Sequence, residues 1–116
     1  MAIGLRPEQA LRLWHASTLA LVHDDKPDLT IRQFAILLTV YLEPPPHTVR
    51  GLAAKLGVTK PVITRALDTM GHLQLLKRRR DERDRRNVVI QRTLDGALFL
   101  ESLGDLIRAQ AEGLRS

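Results

Sequence analysis

Cysteine, aromatic residues and long apolar runs are the components that this sequence lacks or has little of. The absence of cysteine excludes disulfide bonds, thiolate metal ligands and a cysteine nucleophile. Aromatic residues make up only 3% of the 116 residues, so the core must be built from Leu, Ile, Val and Ala, which suits packed helices. No apolar run is long enough to cross a membrane, and the N-terminal MAIGLRPEQ lacks the features of a secretory signal. We therefore expect a cytoplasmic protein without membrane contact.

Recognised catalytic and cofactor-binding motifs are also lacking. The four histidines are scattered along the chain: His15, His23, His47 and His72. None stands at a metal-ligand spacing from a second histidine or a carboxylate. His23, Asp24 and Asp25 are adjacent and could in principle hold a metal, but a surface loop explains them better because no preformed geometry is implied. We therefore predict no enzymatic activity, no cofactor and no metal.

The basic residues are concentrated in the middle of the chain. Residues 47–92 contain twelve Lys and Arg against four Asp and Glu, a net charge of +8. The remainder contains six against nine, a net charge of −3. A basic centre with acidic flanks favours a polyanion bound at one face. A charge run alone is most often a solvated surface, so its meaning depends on the elements that carry it.

Local signals define the first two helices. Pro7 suits the first turn of a helix that continues to about Val22, and its apolar residues cover more than one face. Thr30 and Gln33 form a capping box for a second helix, which residues 44–46 end because three successive prolines lack a backbone donor. The buried stripe expected on this helix consists of Ile31, Phe34, Ala35, Leu38, Tyr41 and Leu42.

A helix-turn-helix pattern follows. Thr48 can cap a helix that runs to about Leu56, and Gly57 then stands where a helix C-terminus needs a left-handed residue. Thr59 can cap the next helix, in whose first turn Pro61 is tolerated. The apolar face of that helix consists of Ile63, Ala66, Leu67 and Met70. The opposite side carries Lys60, Thr64, Arg65 and Asp68.

A hairpin and a final helix complete the pattern. Two strands at Leu75–Arg80 and Asn87–Thr93 flank the polar tip Asp81–Arg86, and His47–Val49 can add a third short strand. A last helix runs from Leu94 to about Gly113. The predicted fold is mainly α with a small β-hairpin (α+β). It is a winged helix-turn-helix in which the wing lies between the fourth and fifth helices.

This arrangement is a device for holding duplex DNA. The second helix of a helix-turn-helix enters the major groove with its N-terminal end first. Arg65 can donate to guanine O6 and N7, and Val62 or Thr64 can touch a thymine methyl. Phosphates would be held by the first turn of this helix and by the preceding helix. The residues expected to contact DNA from the recognition helix are Thr59, Lys60, Pro61, Val62, Thr64 and Arg65. Those expected to contact the DNA backbone are Thr48, Arg50 and Lys55.

The wing supplies a second set of candidate residues. A β-ribbon can lie along the DNA backbone and place a tip arginine in a narrow minor groove, where the negative potential is strongest. Asp84 either pairs with a neighbouring arginine and fixes the loop or is a plain turn residue. The wing residues expected at DNA are Arg79, Arg83, Asp84, Arg85 and Arg86.

Three segments together match one known family pattern. They are LTIRQFAIL at 29–37, LAAKLGVTKPVITRALD at 52–68 and RRRDERDRRNVVIQRTLDG at 78–96. With these segments the sequence resembles the MarR family of winged-helix transcription regulators. The resemblance implies that Arg86 enters the minor groove and that Asp84 braces the wing. Two features depart from the pattern: the family usually has glycine where Gln74 stands, and two long helices after the wing where this chain has one.

The resemblance also implies a homodimer on a pseudo-palindromic site. We expect one domain over 1–116, with dimerisation helices at 1–28 and 94–116 and a DNA-reading unit at 48–92. The broad apolar surface of the first helix fits either a partner subunit or packing within its own domain. Trp14 and His15 can line a small-molecule pocket, although Trp14 alone is more often a core or interface anchor, so an effector is unsupported.

Two functions therefore remain at this stage. The first is a homodimeric, sequence-specific regulator that binds double-stranded DNA. The alternative is a winged-helix module for protein–protein interaction, with weak or no DNA binding, in which the apolar outer helices bind a partner protein. The basic wing argues against the alternative.

Overall fold

The computed structural model describes residues 4–114, which form five helices and three strands. In chain order these are α1 Pro7–His23, α2 Ile31–Leu42, β1 His47–Thr48, α3 Val49–Leu56, α4 Lys60–His72, β2 Leu76–Arg80, β3 Val88–Arg92 and α5 Leu94–Gly113. The predicted class and order of elements are confirmed. The backbone forms two compact units, one of residues 4–28 with 101–114 and one of residues 29–100. The ends of the predicted dimerisation segments, 1–3 and 115–116, lie outside the described residues.

Side chains next to the helix ends explain where most helices begin. Thr30 and Gln33 form the predicted capping box, in which each side chain accepts the other's backbone N–H. The Thr48 hydroxyl accepts from the Gly51 N–H at 2.9 Å and caps α3. Gly57 ends α3 at φ 68°, the left-handed conformation that favours glycine. Thr59 stands at the N-cap of α4 as predicted, but its side chain makes no capping hydrogen bond.

The core of residues 29–100 is organised around α4. Its four predicted core residues, Ile63, Ala66, Leu67 and Met70, are all buried. The prediction for α2 was wrong at both ends, because Ile31 and Leu42 are 71% and 76% exposed. The buried residues of α2 are instead Ile36, Leu37 and Val40. This helix is apolar almost all round, so its sequence periodicity does not identify the face that meets the core.

The three strands form an antiparallel sheet in the order β1-β3-β2. Leu76 and Ile90 are buried, and Ile90 pairs with Arg78, so Arg78 stands on the sheet face that meets the core. The alternation of side chains places Arg80 on that face as well and directs Arg79 to the other one. The wing therefore offers arginines on both of its faces.

A cluster of hydrogen bonds joins α2, the start of β2 and the start of α5. The Tyr41 hydroxyl accepts from the Thr93 N–H at 2.9 Å and lies 2.9 Å from the Leu75 carbonyl oxygen. The Thr93 hydroxyl donates to the Gln74 carbonyl at 2.7 Å and accepts from the Gly96 N–H at 2.9 Å. Gln74 adopts φ 62°, so the backbone takes at this residue the left-handed turn for which the family pattern usually has glycine.

Candidate nucleic-acid interface

The exposed side of α4 carries short polar and basic side chains. Successive residues of a helix turn by about 100°, which places Pro61, Arg65 and Asp68 opposite the buried face. These three residues and Thr64 are exposed. Because four buried residues anchor the helix, the backbone positions that carry these side chains are fixed relative to the core. The predicted division of α4 into a buried and an exposed face is confirmed.

The first turn of α4 supplies the other recognition-helix candidates. Thr59, Lys60 and Pro61 are exposed at its N-terminal end, whereas Val62 is half-buried on one side of the helix. Arg65 folds back along the helix, and its Nε lies 3.4 Å from the Pro61 carbonyl oxygen. That contact is long for a hydrogen bond, so the guanidinium group is held only weakly.

A cleft lies between α4 and the wing. Thr64 lines it together with Val49, Val88 and the strand segment 78–80, around a volume of about 360 Å³. The Arg78 guanidinium donates to the Asp68 carboxylate at 2.5 Å, which ties β2 to α4. Strand β2 of the wing is therefore held directly to α4.

Asp84 organises the tip of the wing. Its carboxylate accepts from the Arg86 backbone N–H at 3.1 Å and from Arg86 Nε at 3.2 Å, and its carbonyl accepts from the Asn87 N–H at 2.9 Å. The Arg80 guanidinium donates to the Arg85 carbonyl, and Asp81 accepts from the Arg83 N–H at 2.9 Å. Three side chains thus bind backbone groups of the six-residue tip, and the bracing role of Asp84 at DNA stays a prediction.

The three candidates for backbone contact differ in what their side chains do. The Thr48 hydroxyl is used in capping α3, and Arg50 is exposed. Lys55 Nζ lies 2.5 Å from a carboxylate oxygen of Glu43 and is already paired. Arg50 and Lys55 are five positions apart in the sequence, which places them about 140° apart around α3. The structure therefore does not bring Arg50 and Lys55 to one surface of the helix.

Most cations of the basic segment have no acidic partner among the described residues. Within residues 4–114, carboxylates within 4.0 Å are found for Lys55, Arg78 and Arg86 of this segment. Arg92 instead donates to the Val40 and Glu43 carbonyls and stacks over the Tyr41 ring. The cations without such a partner in the described chain are Arg50, Lys60, Arg65, Lys77, Arg79, Arg80, Arg83 and Arg85. These cations of the described chain give α3, α4 and the wing a positive surface charge, a feature that favours polyanions in general.

Sequence reasoning missed two residues of this surface. Arg78 and Arg80 were counted in the basic segment but not among the candidate contacts, although the register places both beside α4. The signal that identifies them is the alternation along β2: Leu76 is buried, so residues two and four positions later share its face.

Two further findings bear on other kinds of site. Among residues 4–114, no group of three or more His, Asp or Glu side chains is placed to hold a metal ion. No helix in this part of the chain is long and apolar enough to cross a membrane.

A helix-turn-helix followed by the β2–β3 hairpin, with β1 as a third strand of the sheet, defines this chain as a winged helix-turn-helix protein. It belongs to the MarR family, whose model matches residues 29–88. No curated protein sequence shows significant similarity to it.

Solved structures of transcription regulators share the fold. The transcriptional regulator Tm0710 from Thermotoga maritima is 24% identical, with a TM-score of 0.67 over 91% of this chain and 69% of that one. A mutant of S. aureus MepR, solved bound to an oligodeoxyribonucleotide, is 21% identical, with a TM-score of 0.77 over 90% of this chain and 75% of that one. A crystal structure of MarR is 22% identical, with a TM-score of 0.65 over 92% and 74%.

Proposed function

We propose that this protein is a homodimeric transcription regulator that binds double-stranded DNA sequence-specifically. The observation that carries the proposal is the placement of α4. This helix is anchored in the core by four buried residues and exposes Thr64 and Arg65 beside a wing of arginines, most of which have no acidic partner in the described chain. A fold shared with an S. aureus MepR mutant bound to an oligodeoxyribonucleotide supports the nucleic-acid partner.

In this proposal α4 lies in the major groove. Arg65 reads a guanine through O6 and N7. Within the described chain its guanidinium makes only one long contact, to the Pro61 carbonyl, and is therefore available to a base. Thr64 or Val62 contacts a thymine methyl. Thr59 and Lys60 lie at the N-terminal end of the helix and bind phosphates, which position the helix without reading sequence.

The wing places arginine in the minor groove. Arg86 is the principal candidate, since its side chain is 87% exposed and only Nε is bound to Asp84. The two terminal nitrogens of its guanidinium remain available to the groove. Asp84 fixes the tip, and Arg79, Arg83 and Arg85 lie along the ribbon where they can bind the neighbouring backbone.

The start of α3 also contacts the DNA backbone in this proposal. Arg50 is its main contributor, because it is exposed and has no carboxylate nearby in the described chain. Thr48 positions that end of the helix by capping it. Lys55 contributes only after exchanging Glu43 for a phosphate, since the two side chains are paired.

Homodimerisation is proposed from the apolar side chains of the outer helices. On α1, Leu11, Trp14 and Val22 are 68%, 53% and 78% exposed, and on α5 Leu94 and Leu98 are 74% and 54% exposed. Several exposed large apolar side chains on one element favour burial in an interface. Two copies of α4 about one helical turn apart would read a pseudo-palindrome.

The test is to incubate the protein with sheared genomic DNA and to sequence the fragments that shift in a gel. We expect a common pseudo-palindromic sequence among them, and a mass in solution of twice the 13.1 kDa chain. Bound fragments without a common sequence would contradict sequence-specific recognition. A chain that binds no fragment would favour the protein-interaction function, for which the same exposed apolar side chains provide a surface.

A further inference from the structure

A second groove borders α4 on the side away from the wing. It lies between α4 and the first turn of α2 and has a volume of about 340 Å³. Arg32 and Gln33 of α2 line one wall, and Val62, Arg65 and Thr69 of α4 line the other. The recognition helix therefore has two flanks, one facing the wing through Thr64 and one facing α2 through Arg65.

Two arginines line this groove, and neither is paired with a carboxylate in the described chain. Arg32 is exposed, and no carboxylate of residues 4–114 lies within 4.0 Å of it or of Arg65. Arg65 makes only the long contact to its own helix, and Arg32 makes no side-chain hydrogen bond within the described part of the chain. The first turn of α2 also has no acidic residue. Arg32 thus contributes nothing evident to the fold, and its charge is free to bind an anion.

The dimensions of duplex DNA suggest which anion the groove between α2 and α4 would meet. A helix with its side chains is about 10–12 Å across, and the major groove is about 12 Å wide. An inserted helix therefore fills the groove, and each of its flanks faces one of the two sugar–phosphate strands. The wing and the start of α3 stand on one flank of α4, and Arg32 stands on the other.

We propose that Arg32 binds a phosphate of the DNA strand opposite the one that the wing side contacts. This inference rests on the proposed DNA-binding function and adds to it a contact with the phosphates of the second DNA strand. Arg32 then binds one DNA strand, and Arg50 and the wing bind the other. Phosphate contacts on both edges of the major groove hold α4 in place. Arg65 lines the same groove between α2 and α4 as Arg32, but in this proposal it binds bases and not a phosphate. Phosphate contacts of this kind fix the register of a recognition helix without reading sequence.

The experiment compares Arg32→Ala with wild type by fluorescence anisotropy on a 40-base-pair duplex enriched from a random pool. We expect Arg32→Ala to weaken binding roughly tenfold for each phosphate that the side chain no longer binds. The salt dependence should become shallower by about 0.9 in log–log slope for each such phosphate. Arg32→Lys should retain part of the affinity, since it keeps the charge but not the planar fork. Arg108→Ala removes the same charge from an exposed side chain of α5; because α5 is a proposed dimerisation helix, its mass in solution is measured first, and a variant of wild-type mass should change affinity less than threefold.

Phosphate ethylation interference on the same duplex then identifies the strand. We expect Arg32→Ala to abolish interference at phosphates on one strand and Arg50→Ala to abolish it on the strand across the major groove. Wild-type affinity for Arg32→Ala, together with weak binding by Arg86→Ala, would overturn the phosphate contact of Arg32 and leave the proposed DNA binding intact. Failure of the wild-type chain to enrich or bind any duplex would overturn the proposed function itself.

Discussion

The two compact units differ in how well they bury their own apolar side chains. Residues 29–100, which we call the core unit, contain a core of fourteen buried apolar residues. Among the described residues of the other unit, Leu103 is the buried apolar side chain, while Trp14 and Val22 are 53% and 78% exposed. Ser17, also buried there, has no hydrogen-bond partner for its hydroxyl. The difference agrees with the proposal that the core unit carries the DNA-binding surface and that the other unit buries its apolar surface against a second copy.

Gly96→Ala should cause the largest loss of stability in the core unit. A Cβ at this position would lie less than 3.0 Å from both the Tyr41 hydroxyl and the Leu75 carbonyl oxygen. Both contacts belong to the hydrogen-bonded cluster at the start of α5, and the second involves backbone. We expect a loss of more than about 4 kcal/mol in the free energy of unfolding, measured by urea denaturation.

Gly104→Ala is the matched control in the same helix. A Cβ there meets nothing within 4 Å, so the better helix propensity of alanine should raise stability by about 0.5–1 kcal/mol. A folded Gly96→Ala protein with unchanged stability would show that the cluster rearranges at little cost.

The next effect separates a core leucine from an exposed one. Leu67 is 1% exposed, so Leu67→Ala should cost about 3–5 kcal/mol through lost burial and the cavity left behind. Leu42 is 76% exposed, and Leu42→Ala should stay within about 0.5 kcal/mol. Chemical denaturation of both variants gives the comparison, and equal losses would mean that Leu42 is covered in the folded protein.

Trp14→Ala examines the other unit, in whose described residues Leu103 is the buried apolar side chain. If α1 packs against a second copy, removing this half-exposed anchor should raise the dimer dissociation constant about a hundredfold, near 2.8 kcal/mol. Sedimentation equilibrium measures this directly. Arg12→Ala alters an exposed ion pair with Glu8 on the same helix and should change the constant less than threefold. Equal dissociation constants for Trp14→Ala and wild type would exclude Trp14 from the interface.

Arg86→Ala divides binding from stability in the wing. The side chain is 87% exposed, so its loss should leave the melting temperature within about 1–2 °C of wild type, a change of roughly 0.3 kcal/mol. Binding to a selected duplex should weaken about 10- to 30-fold, near 1.4–2 kcal/mol. Anisotropy and thermal melts on one preparation provide both values. Normal binding by the folded variant would remove Arg86 from the interface.

Gln74→Gly should have the smallest effect and the opposite sign. Gln74 adopts φ 62°, a conformation that costs a residue with a Cβ about 1–2 kcal/mol. Glycine avoids that cost but loses about 0.5–1 kcal/mol in chain entropy, so we expect a net gain of about 0.5–1 kcal/mol. Differential scanning calorimetry tests the gain. A loss of stability would mean that the Gln74 side chain makes a contribution that its backbone conformation conceals.

Local chemistry in the sequence was sufficient to predict most of the fold. The capping box at Thr30 and Gln33, the glycine at Gly57 and the division of α4 each depend on residues close together in the chain, and the structure confirms them. The stripe on α2 failed because that helix is apolar on nearly every side, so periodicity carried no direction. Its buried face, Ile36, Leu37 and Val40, is selected by tertiary packing.

The candidate site was predictable in its elements but not in its pairings. Nothing in the local sequence indicates that Lys55 is paired with Glu43 or Arg78 with Asp68, because each partner belongs to a different element. The same holds for the groove between Arg32 and Arg65, whose positions are 33 residues apart in sequence. Such contacts follow from the packing of helices against one another, which periodicity within one element does not reveal.

The most direct measurement of the central idea, that α4 and the wing bind duplex DNA through many phosphates, is the salt dependence of affinity. For a chain that makes about 6–10 phosphate contacts, the affinity for a selected duplex should fall by about 10³–10⁵ between 50 and 200 mM salt. An Arg50→Ala, Arg86→Ala double variant should bind more weakly and show a shallower slope. An affinity that stays constant over this range, or a double variant that binds like wild type, would contradict DNA binding through these phosphates.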